Sequence, residues 1–349
     1  MSDVYLWETD SGSITSEEIT EKLGPFLKDF FKGENTGIKL HFGERNSDTH
    51  LKPEWVEPIY SLVEGKSKRC DLIDCTVLYN SPRALASTHK EVARDNGFDF
   101  APIVIADGEK GEEEVEASID GEFFGNVKLG GRLKDYKSLV VVTHFTGHLG
   151  SGFGGALKNI GMGLGSKAGK VEMHKAFELK VKGKECVVCG ECVENCPEDA
   201  ISISSGGLLS SSERAGIDHR KCVGCGSCIA VCPEGAIKIP WTSSSRKELQ
   251  KRIVEYAKGV AKNRKVLFIS FLLNITKKCD CVDEKQEPFV EDIGVLVSED
   301  PVAIDQASLD LVGKSKLMLK EIMASPDIQI KHGEKIGLGE REYELKKIG

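Results

Sequence analysis

Cysteine spacing is the feature of this sequence that most directly predicts chemistry. Eight of the twelve cysteines fall in two runs with the spacing C-x2-C-x2-C-x3-C-P, offset by 36 residues. Soft thiolates at this spacing are typical of proteins that hold two [4Fe–4S] clusters, each bound by three cysteines of one run and the fourth of the other. The first predicted ligand set is Cys186, Cys189, Cys192 and Cys232. The second predicted set is Cys222, Cys225, Cys228 and Cys196.

Structural zinc and disulfides are the alternatives for these two runs. Zinc sites use ligands in two pairs, not two runs of four that end in Cys-Pro. The first residues show no signal peptide, and the longest apolar run, 266–275, is too short to span a bilayer. We therefore expect a cytoplasmic protein without a membrane segment, in which metal binding is favoured over disulfides.

A second pair of cysteines, Cys279 and Cys281, is separated by one residue. In an extended segment, side chains at i and i+2 share a face, so both thiols could bind an additional metal, with His174 as a further ligand. The alternative is a pair of unligated thiols in a loop. The two interpretations stay open. Cys70 and Cys75 lie in or beside a predicted strand and are expected to be packed core thiols.

A histidine- and glycine-rich segment, 144–159, begins where a strongly apolar predicted strand ends. Its histidines can bind a metal or move protons, and a lysine among the glycines can balance an anion. The candidate catalytic residues are His144, His148 and Lys158. Candidate cofactor-binding residues, whose backbone or amide groups could cradle an anion, are Gly150, Gly152, Gly154, Gly155 and Asn159. A flexible surface loop with structural histidines is the alternative.

The elements that must position these residues alternate along the chain. Strand patterns at 4–7, 37–42, 71–78, 102–106 and 138–145 alternate with helical patterns, and a hairpin is predicted around Asp120-Gly121. Helix starts are predicted at a capping box formed by Thr15 and Glu18, at Ser81-Pro82 and at Asp300-Pro301. This alternation predicts an α/β fold with a mostly parallel sheet and helices. The pattern resumes after residue 240, with strands at 266–275 and 294–297.

The predicted organisation has three parts. Residues 1–180 form the first part of an α/β domain, 181–240 form a small α+β domain similar to bacterial 2[4Fe–4S] ferredoxins, and 241–349 form the second α/β part. Whether the last part joins the first sheet or forms its own lobe stays open at this stage.

The balance of charged residues limits the kinds of partner that the chain is expected to bind. The chain has 349 residues, with 47 Lys and Arg against 55 Asp and Glu, and a net charge of −8. Phosphate binding depends on Lys and Arg, so an acidic chain is not expected to bind nucleic acid. A redox partner protein or a small-molecule substrate is expected instead, and the oligomeric state stays open.

Several motifs, taken in order, resemble a widespread family of uncharacterised Fe–S center proteins with a domain of unknown function, many of which carry a ferredoxin-like insert. The motifs are 102–108, His144-Phe145-x-Gly147-His148, 154–159, Lys170-x-Glu172-Met173-His174, Cys279-Asp280-Cys281 and 292–305. The resemblance spans nearly the whole chain. It implies a cytosolic protein associated with anaerobes that has two [4Fe–4S] clusters, and it implies no particular substrate.

Two functions follow as hypotheses. The first is an oxidoreductase whose two clusters pass electrons to a redox site in the α/β domain, with a third metal centre or a bound cofactor. The second is an electron-transfer or assembly partner without a catalytic site of its own.

Overall fold

The computed structural model describes most of the chain. The described residues are 1–28, 30–79, 81–148, 150–174, 179–196, 198–204, 214–222, 227–238, 243–317 and 325–349. Helices in these ranges are α1 Ser16–Leu27, α2 Pro53–Glu64, α3 Ala86–Asp95, α4 Ala156–Leu164, α5 Lys167–Met173, α6 Glu191–Glu194, α7 Ser227–Val231, α8 Ser243–Ala261, α9 Pro301–Val312, α10 Lys314–Leu317 and α11 Asp327–Lys335. Strands are β1 Ser2–Glu8, β2 Asn35–Lys39, β3 Arg69–Asp74, β4 Ile103–Ile105, β5 Glu114–Ser118, β6 Asn126–Gly130, β7 Ser138–His144, β8 Thr146–His148, β9 Gly152–Gly154, β10 Lys180–Val181, β11 Ile201–Ser204, β12 Arg214–Ile217, β13 Ile237–Lys238, β14 Lys265–Leu272, β15 Gly294–Ser298 and β16 Tyr343–Lys347.

Eight strands form the central sheet, in the order β16-β1-β15-β14-β7-β2-β3-β4. Every neighbouring pair is parallel except the two pairs that β15 makes, with β1 and β14. The predicted α/β fold with a mostly parallel sheet is confirmed. Strands β14, β15 and β16 lie beside strands from the first half of the chain, so the segments on either side of residues 181–240 share one sheet.

Hydrophobic side chains pack on both faces of this sheet. Successive residues of β7 alternate between the two cores: Leu139 and Val141 join one, and Val140 and Val142 join the other. Helices α4, α8, α9 and α11 cover the first face, and α1, α2 and α3 cover the second. A strand buried on both faces is typical of parallel sheets between two helical layers.

Local capping chemistry agrees with the sequence at the start of α1. Thr15 accepts a hydrogen bond from the backbone of Glu18, whose side chain accepts one from the backbone of Thr15 in return. This reciprocal pair is the capping box that the sequence predicts. Cys70 and Cys75 are both buried, as expected for core thiols.

Two local predictions are wrong. The β5–β6 connection is not a two-residue turn at Asp120-Gly121 but a longer loop, residues 119–125, because the buried Glu255 carboxylate accepts N–H groups from 122–124. The predicted helix at Ser81 divides into a 3-10 turn, Pro82–Ala84, and α3. Leu85 separates them because its backbone is extended.

Residues 179–238 contribute a separate small core. Its buried members are Leu179, Cys192, Ile201, Ala215, Cys228, Ile229 and Ile237. Two short antiparallel pairs, β10–β13 and β11–β12, lie around this core, and α6 contacts α7.

Candidate functional site

The carboxyl ends of β2 and β3 meet at a buried ion pair. Lys39 ends β2, and its Nζ lies 3.2 Å from Oδ1 of Asp74, the last residue of β3. The other carboxylate oxygen of Asp74 accepts a hydrogen bond from Arg83 at 3.0 Å. All three side chains are at most 3% exposed, and buried charges are tolerated only when paired in this way.

Arg83 extends this network to a second carboxylate and two histidines. Its guanidinium donates to Glu44 at 2.9 Å, to Nε2 of His41 at 2.7 Å and to Nε2 of His89 at 3.0 Å. Burial, together with the charge of Arg83, holds the pKa of both histidines well below the usual range. Both rings are therefore neutral, and Arg83 ties the loops after β2 and β3 together.

Asn159 clamps helix α4 to the strand ends. Its Oδ1 accepts from Lys39 Nζ at 2.7 Å, and its Nδ2 donates to the Val142 carbonyl and to Thr143 Oγ1 at 3.0 and 2.9 Å. The side chain thus has partners at both ends of the amide. It was predicted to bind a cofactor, and that remains a prediction.

The N-terminus of α4 is capped by a side chain from α9. The carboxylate of Asp305 accepts the N–H groups of Ala156 and Leu157 at 2.7 and 2.9 Å. A Cβ at Gly155 would lie 2.3 Å from Asp305 Oδ1, so only glycine leaves room for this cap. The two N–H groups are consequently engaged within the protein rather than open to an anion.

The rest of the glycine segment forms a tight hairpin, β8–β9, that fixes the ring of His148. His148 pairs with Gly152, whose φ of +81° favours glycine. The N–H groups of Gly150 and Ser151 donate to Nδ1 of His148 at 3.1 and 2.9 Å. Because Nδ1 is an acceptor, the proton of the neutral ring lies on Nε2. Burial and the nearby Lys158 hold the pKa of His148 well below its usual range.

His144 has the opposite environment. Its Nδ1 donates to the carboxylate of Asp280 at 2.9 Å, and its Nε2 donates to the Leu273 carbonyl at 2.9 Å. Burial disfavours the charged ring, but the attraction of Asp280 outweighs it and raises the pKa of His144. His144 therefore holds the loop after β14 in place, and its predicted catalytic role stays a prediction.

Cys279 and Cys281 flank Asp280 in that loop, and the structure joins them as a disulfide. They lie in a turn closed by the Val282 N–H and the Cys279 carbonyl, not in the extended segment the sequence suggested. A ring nitrogen of His148 and both sulfurs lie within 4.8 Å of one another, so these three residues are spaced as ligands of a metal ion could be. The partner histidine is thus His148, where the sequence suggested His174.

Lys158 projects from α4 into this region. Its amine makes no hydrogen bond or ion pair within the described residues, and it lies beside Gly154, where a Cβ would be 3.9 Å from Nζ. Burial lowers the pKa of Lys158 to about 8, against the opposing attraction of Asp280. An amine with this pKa is partly neutral near pH 7, which is the state that nucleophiles and bases require.

In the small domain, four cysteines line one pocket. Cys186, Cys189, Cys192 and Cys232 all contribute to it, and it contains about 360 Å³ of empty space, some of it open to solvent. Three of them come from the first run and one from the second, which is the set that the sequence assigns to one cluster. Burial and the neighbouring thiols, Cys232 first, raise the pKa of Cys192.

The 36-residue sequence repeat is also a structural repeat. β10, α6 and β11 recur as β12, α7 and β13 at that offset. The pairs are exchanged between the halves: Val181 pairs with Ile237, and the equivalent Ile217 pairs with Ile201. Such an exchange is the signature of an approximate two-fold axis between the halves.

Backbone hydrogen bonds repeat in the same crossed manner. The Lys182 N–H donates to the Ala236 carbonyl, and the equivalent Asp218 N–H donates to the Ala200 carbonyl, both at 2.8 Å. Next to them, the N–H groups of the same two alanines donate to the sulfur of the cysteine four residues before, at 3.2 Å.

Those two sulfurs belong to Cys196 and Cys232, so the fourth cysteines of the two runs have matching environments. Cys222 is half-buried and Cys228 is buried. Cys225, the remaining member of the second predicted set, lies outside the described residues. Under the approximate two-fold relation, Cys196 therefore has the same position relative to the second cysteine run that Cys232 has relative to the first run.

Sequence patterns did not indicate the buried ion network around Asp74 and Arg83. Arg83 was hidden within the predicted helix, and Asp280 was passed over as a spacer between cysteines. A charged residue just beyond an apolar strand was the available signal for Asp74 and its partners.

Within the described ranges, every helix is too short or too polar to cross a lipid bilayer.

Comparison with known proteins identifies the family to which the chain belongs. No curated protein matches the chain. Two solved structures are similar to it: a Thermotoga maritima protein (13% identity, TM-score 0.42, 84% of this chain and 57% of that one) and the lactate racemase apoprotein of Thermoanaerobacterium thermosaccharolyticum (12%, 0.42, 86% and 55%). The chain thus spans a little over half the length of either. Residues 36–310 match a family model described as a domain of unknown function, and the chain therefore belongs to this family, DUF362.

Proposed function

We propose that the chain is an iron–sulfur protein that binds two [4Fe–4S] clusters within residues 181–240 and transfers electrons to a redox site in the α/β domain. One observation carries this proposal: four thiols, three from one cysteine run and one from the other, line a single pocket. Soft thiolates are the ligands that iron–sulfur clusters require, and thiolates held this close repel one another unless a positively charged centre lies between them.

The second cluster is supported by the approximate two-fold relation. Cys196 has the same backbone donor as Cys232, and the pairs around it recur in crossed order. Clusters of this kind take up and release one electron each when bound. The N–H groups of Ala200 and Ala236 stabilise negative charge on the two sulfurs, which favours the more negative, reduced state.

One contact between the two domains supports the second cluster as the one that faces the α/β domain. Asn195, the neighbour of Cys196, accepts a hydrogen bond from Lys110 of the α/β domain at 2.8 Å. At the first ligand set, Cys189 is exposed and Val187 is 61% exposed. A redox partner protein therefore docks at the first cluster, and electrons leave through the second towards the α/β domain.

The receiving site is the region of Cys279, Cys281, His148 and Lys158. The charged side chains around this region are paired with one another, whereas the amine of Lys158 has no ion-pair partner within the described residues. A small-molecule substrate bound there gains from carrying an anionic group beside this amine. The chain would then be an oxidoreductase.

The second candidate function is an electron-transfer or assembly partner without a catalytic site. The observation that favours it is that the polar side chains at the strand ends already have partners within the chain. These side chains, which bond to one another, are Lys39, Asp74, Arg83 and Asn159. On this alternative, replacing Cys279 and Cys281 leaves all metal and redox behaviour unchanged, and another enzyme co-purifies with the chain.

Anaerobic purification with cysteine variants tests the cluster proposal. Cys232→Ala and Cys196→Ala should each lose about half of the iron, acid-labile sulfide and visible absorbance, because each removes one ligand of a different cluster. Cys70→Ala, which removes a buried thiol of the α/β domain, should retain all three. Circular dichroism of each variant separates lost clusters from lost folding. Bound zinc in place of iron, or equal iron in all variants, would contradict the proposal.

A further inference from the structure

We propose that Cys279 and Cys281 are a redox-active pair that closes to a disulfide on two-electron oxidation, reduces a disulfide-containing substrate, and is opened again by electrons from the iron–sulfur clusters. The electron source rests on the proposed function. The chemistry of the pair itself rests on the geometry of the loop after β14.

The loop brings the two cysteines to the spacing that a disulfide needs. Their Cα atoms are 5.3 Å apart, within the 4.4–6.8 Å range that disulfides span, and the structure joins the two sulfurs. One backbone contact and one side-chain contact fix the turn. The Val282 N–H donates to the Cys279 carbonyl, and His144 donates to the carboxylate of the intervening Asp280. These contacts hold the two cysteines at the ends of one turn.

The tautomer of His148 argues for thiol chemistry over a metal ion. A metal-binding histidine ligates through one nitrogen and donates an N–H through the other. In His148, Nδ1 already accepts two backbone N–H groups, from Gly150 and Ser151, and the ring proton lies on Nε2. Ligation would cost either those two bonds or that proton, and two thiolates alone do not complete a metal site. A ring nitrogen of His148 lies within 4.8 Å of both sulfurs, and an N–H donor on the ring is suited to stabilising a thiolate.

The two sulfurs differ in access. Cys279 is only 6% exposed, whereas Cys281 is half-buried. A substrate therefore reaches Cys281 first, and Cys279 acts as the internal, resolving thiol. Access is one of the factors that decide which thiol attacks first in thiol–disulfide exchange.

The exchange balances as follows in electrons and protons. The Cys281 thiolate attacks one sulfur of the substrate disulfide, that bond breaks, and the first substrate thiolate leaves. The Cys279 thiolate then attacks Cys281 Sγ, the mixed disulfide breaks, and the second substrate thiolate leaves. The substrate gains two electrons and takes up the two protons that the pair released. The pair regains two electrons from two reduced clusters, one from each, and two protons from solvent.

Alkylation of the full, cluster-loaded chain tests the pair first. After oxidation of the folded chain with oxidised glutathione, N-ethylmaleimide added in urea should fail to label Cys279 and Cys281, and after dithiothreitol it should label both, as read by peptide mass spectrometry; unfolding during labelling removes the effect of burial, so Cys70 should be labelled in both cases. Cys279→Ser should trap a glutathione adduct on Cys281, and Cys281→Ser should form little adduct because the remaining thiol is buried. Cys70, a buried thiol without a partner cysteine in its turn, is the internal control. Full labelling after oxidation, or protection that a chelator removes together with a bound metal, would overturn the proposal.

Cluster dependence is tested with the same readout. Substoichiometric dithionite should open the oxidised pair at least about tenfold faster in the wild-type chain than in Cys196→Ala, which removes a ligand of the cluster nearest the α/β domain. Equal rates in a wild-type chain that contains both clusters would overturn the proposal while leaving the proposed function intact. A different outcome is a wild-type chain that contains no iron but whose pair still opens and closes with glutathione. That result would refute both the proposed function and this electron source, and only the redox activity of the pair would remain supported.

Discussion

Lys158 should behave as a partly neutral amine at pH values where ordinary lysines are fully charged. Burial lowers its pKa to about 8. At pH 7, an amine with this pKa is roughly 9% neutral, whereas a free lysine with a pKa of about 10.4 is roughly 0.04% neutral. The reactive form of Lys158 is therefore enriched by roughly 200-fold, and its labelling should reach half of its maximum near pH 8.

Competitive labelling with acetic anhydride from pH 6 to 11, followed by peptide mass spectrometry, measures this midpoint against an acetylated lysine amide in the same tube. Lys39, which is 1% exposed and ion-paired, should stay unlabelled in the folded protein and serves as a control for unfolding. Asp280→Asn removes the carboxylate that favours the charged amine, so the Lys158 midpoint should move lower still. A midpoint near 10 in the wild-type chain, or an upward shift in the variant, would refute this reasoning.

The remaining predictions concern stability, measured as urea unfolding. Arg83→Met leaves the buried Glu44 carboxylate without its cation and Asp74 with Lys39 alone, and should cost about 3–5 kcal/mol. Arg45→Ala, in an exposed ion pair, should cost less than about 1 kcal/mol. Asn159→Leu removes three hydrogen bonds and should cost about 2 kcal/mol; a neutral effect would contradict its clamping of α4. The pKa of His144 is raised, so the stability that its charged ring contributes is complete below about pH 6.5 and is lost as pH rises through the folded pKa. The pKa of Asp280 is lowered, so the stability that its charged carboxylate contributes is lost at acid pH. His144→Gln should therefore cost most between about pH 4 and 6.5, and a cost that increased above pH 7 would contradict the pair.

The parts of the fold that follow from local pattern were predictable from the sequence. Apolar strands, the capping box at Thr15 and the proline after Asp300 each depend on residues close in sequence, and each is present. Membership in a family of unknown function, expected from the ordered motifs, is confirmed. The ferredoxin-like nature of residues 181–240 stays a prediction that the proposed function carries forward.

What the sequence could not predict depends on contacts between distant segments. The β5–β6 loop is shaped by Glu255, more than 130 residues later, and the start of α4 is capped by Asp305. The choice of His148 over His174 beside the sulfurs depends on how the β8–β9 hairpin folds back. No local signal distinguishes these histidines, because each lies close to glycines and a lysine.

The glycine segment illustrates how one pattern supports two interpretations. Gly155 was predicted to cradle an anion, and that stays a prediction; the group that it accommodates here is the chain's own Asp305 side chain, which accepts the two N–H groups at the start of α4. A glycine that allows close approach to a phosphate and one that allows close approach to a side chain are identical in sequence. Only the three-dimensional arrangement separates them.

Iron and acid-labile sulfide per chain, measured on anaerobically purified protein together with EPR of the dithionite-reduced form, test the central claim most directly. Two [4Fe–4S] clusters require about eight iron and about eight sulfide per chain, and reduction should give the spectrum of two interacting paramagnetic centres. Zinc at a similar stoichiometry, or iron well below about four per chain after full reconstitution, would contradict the claim.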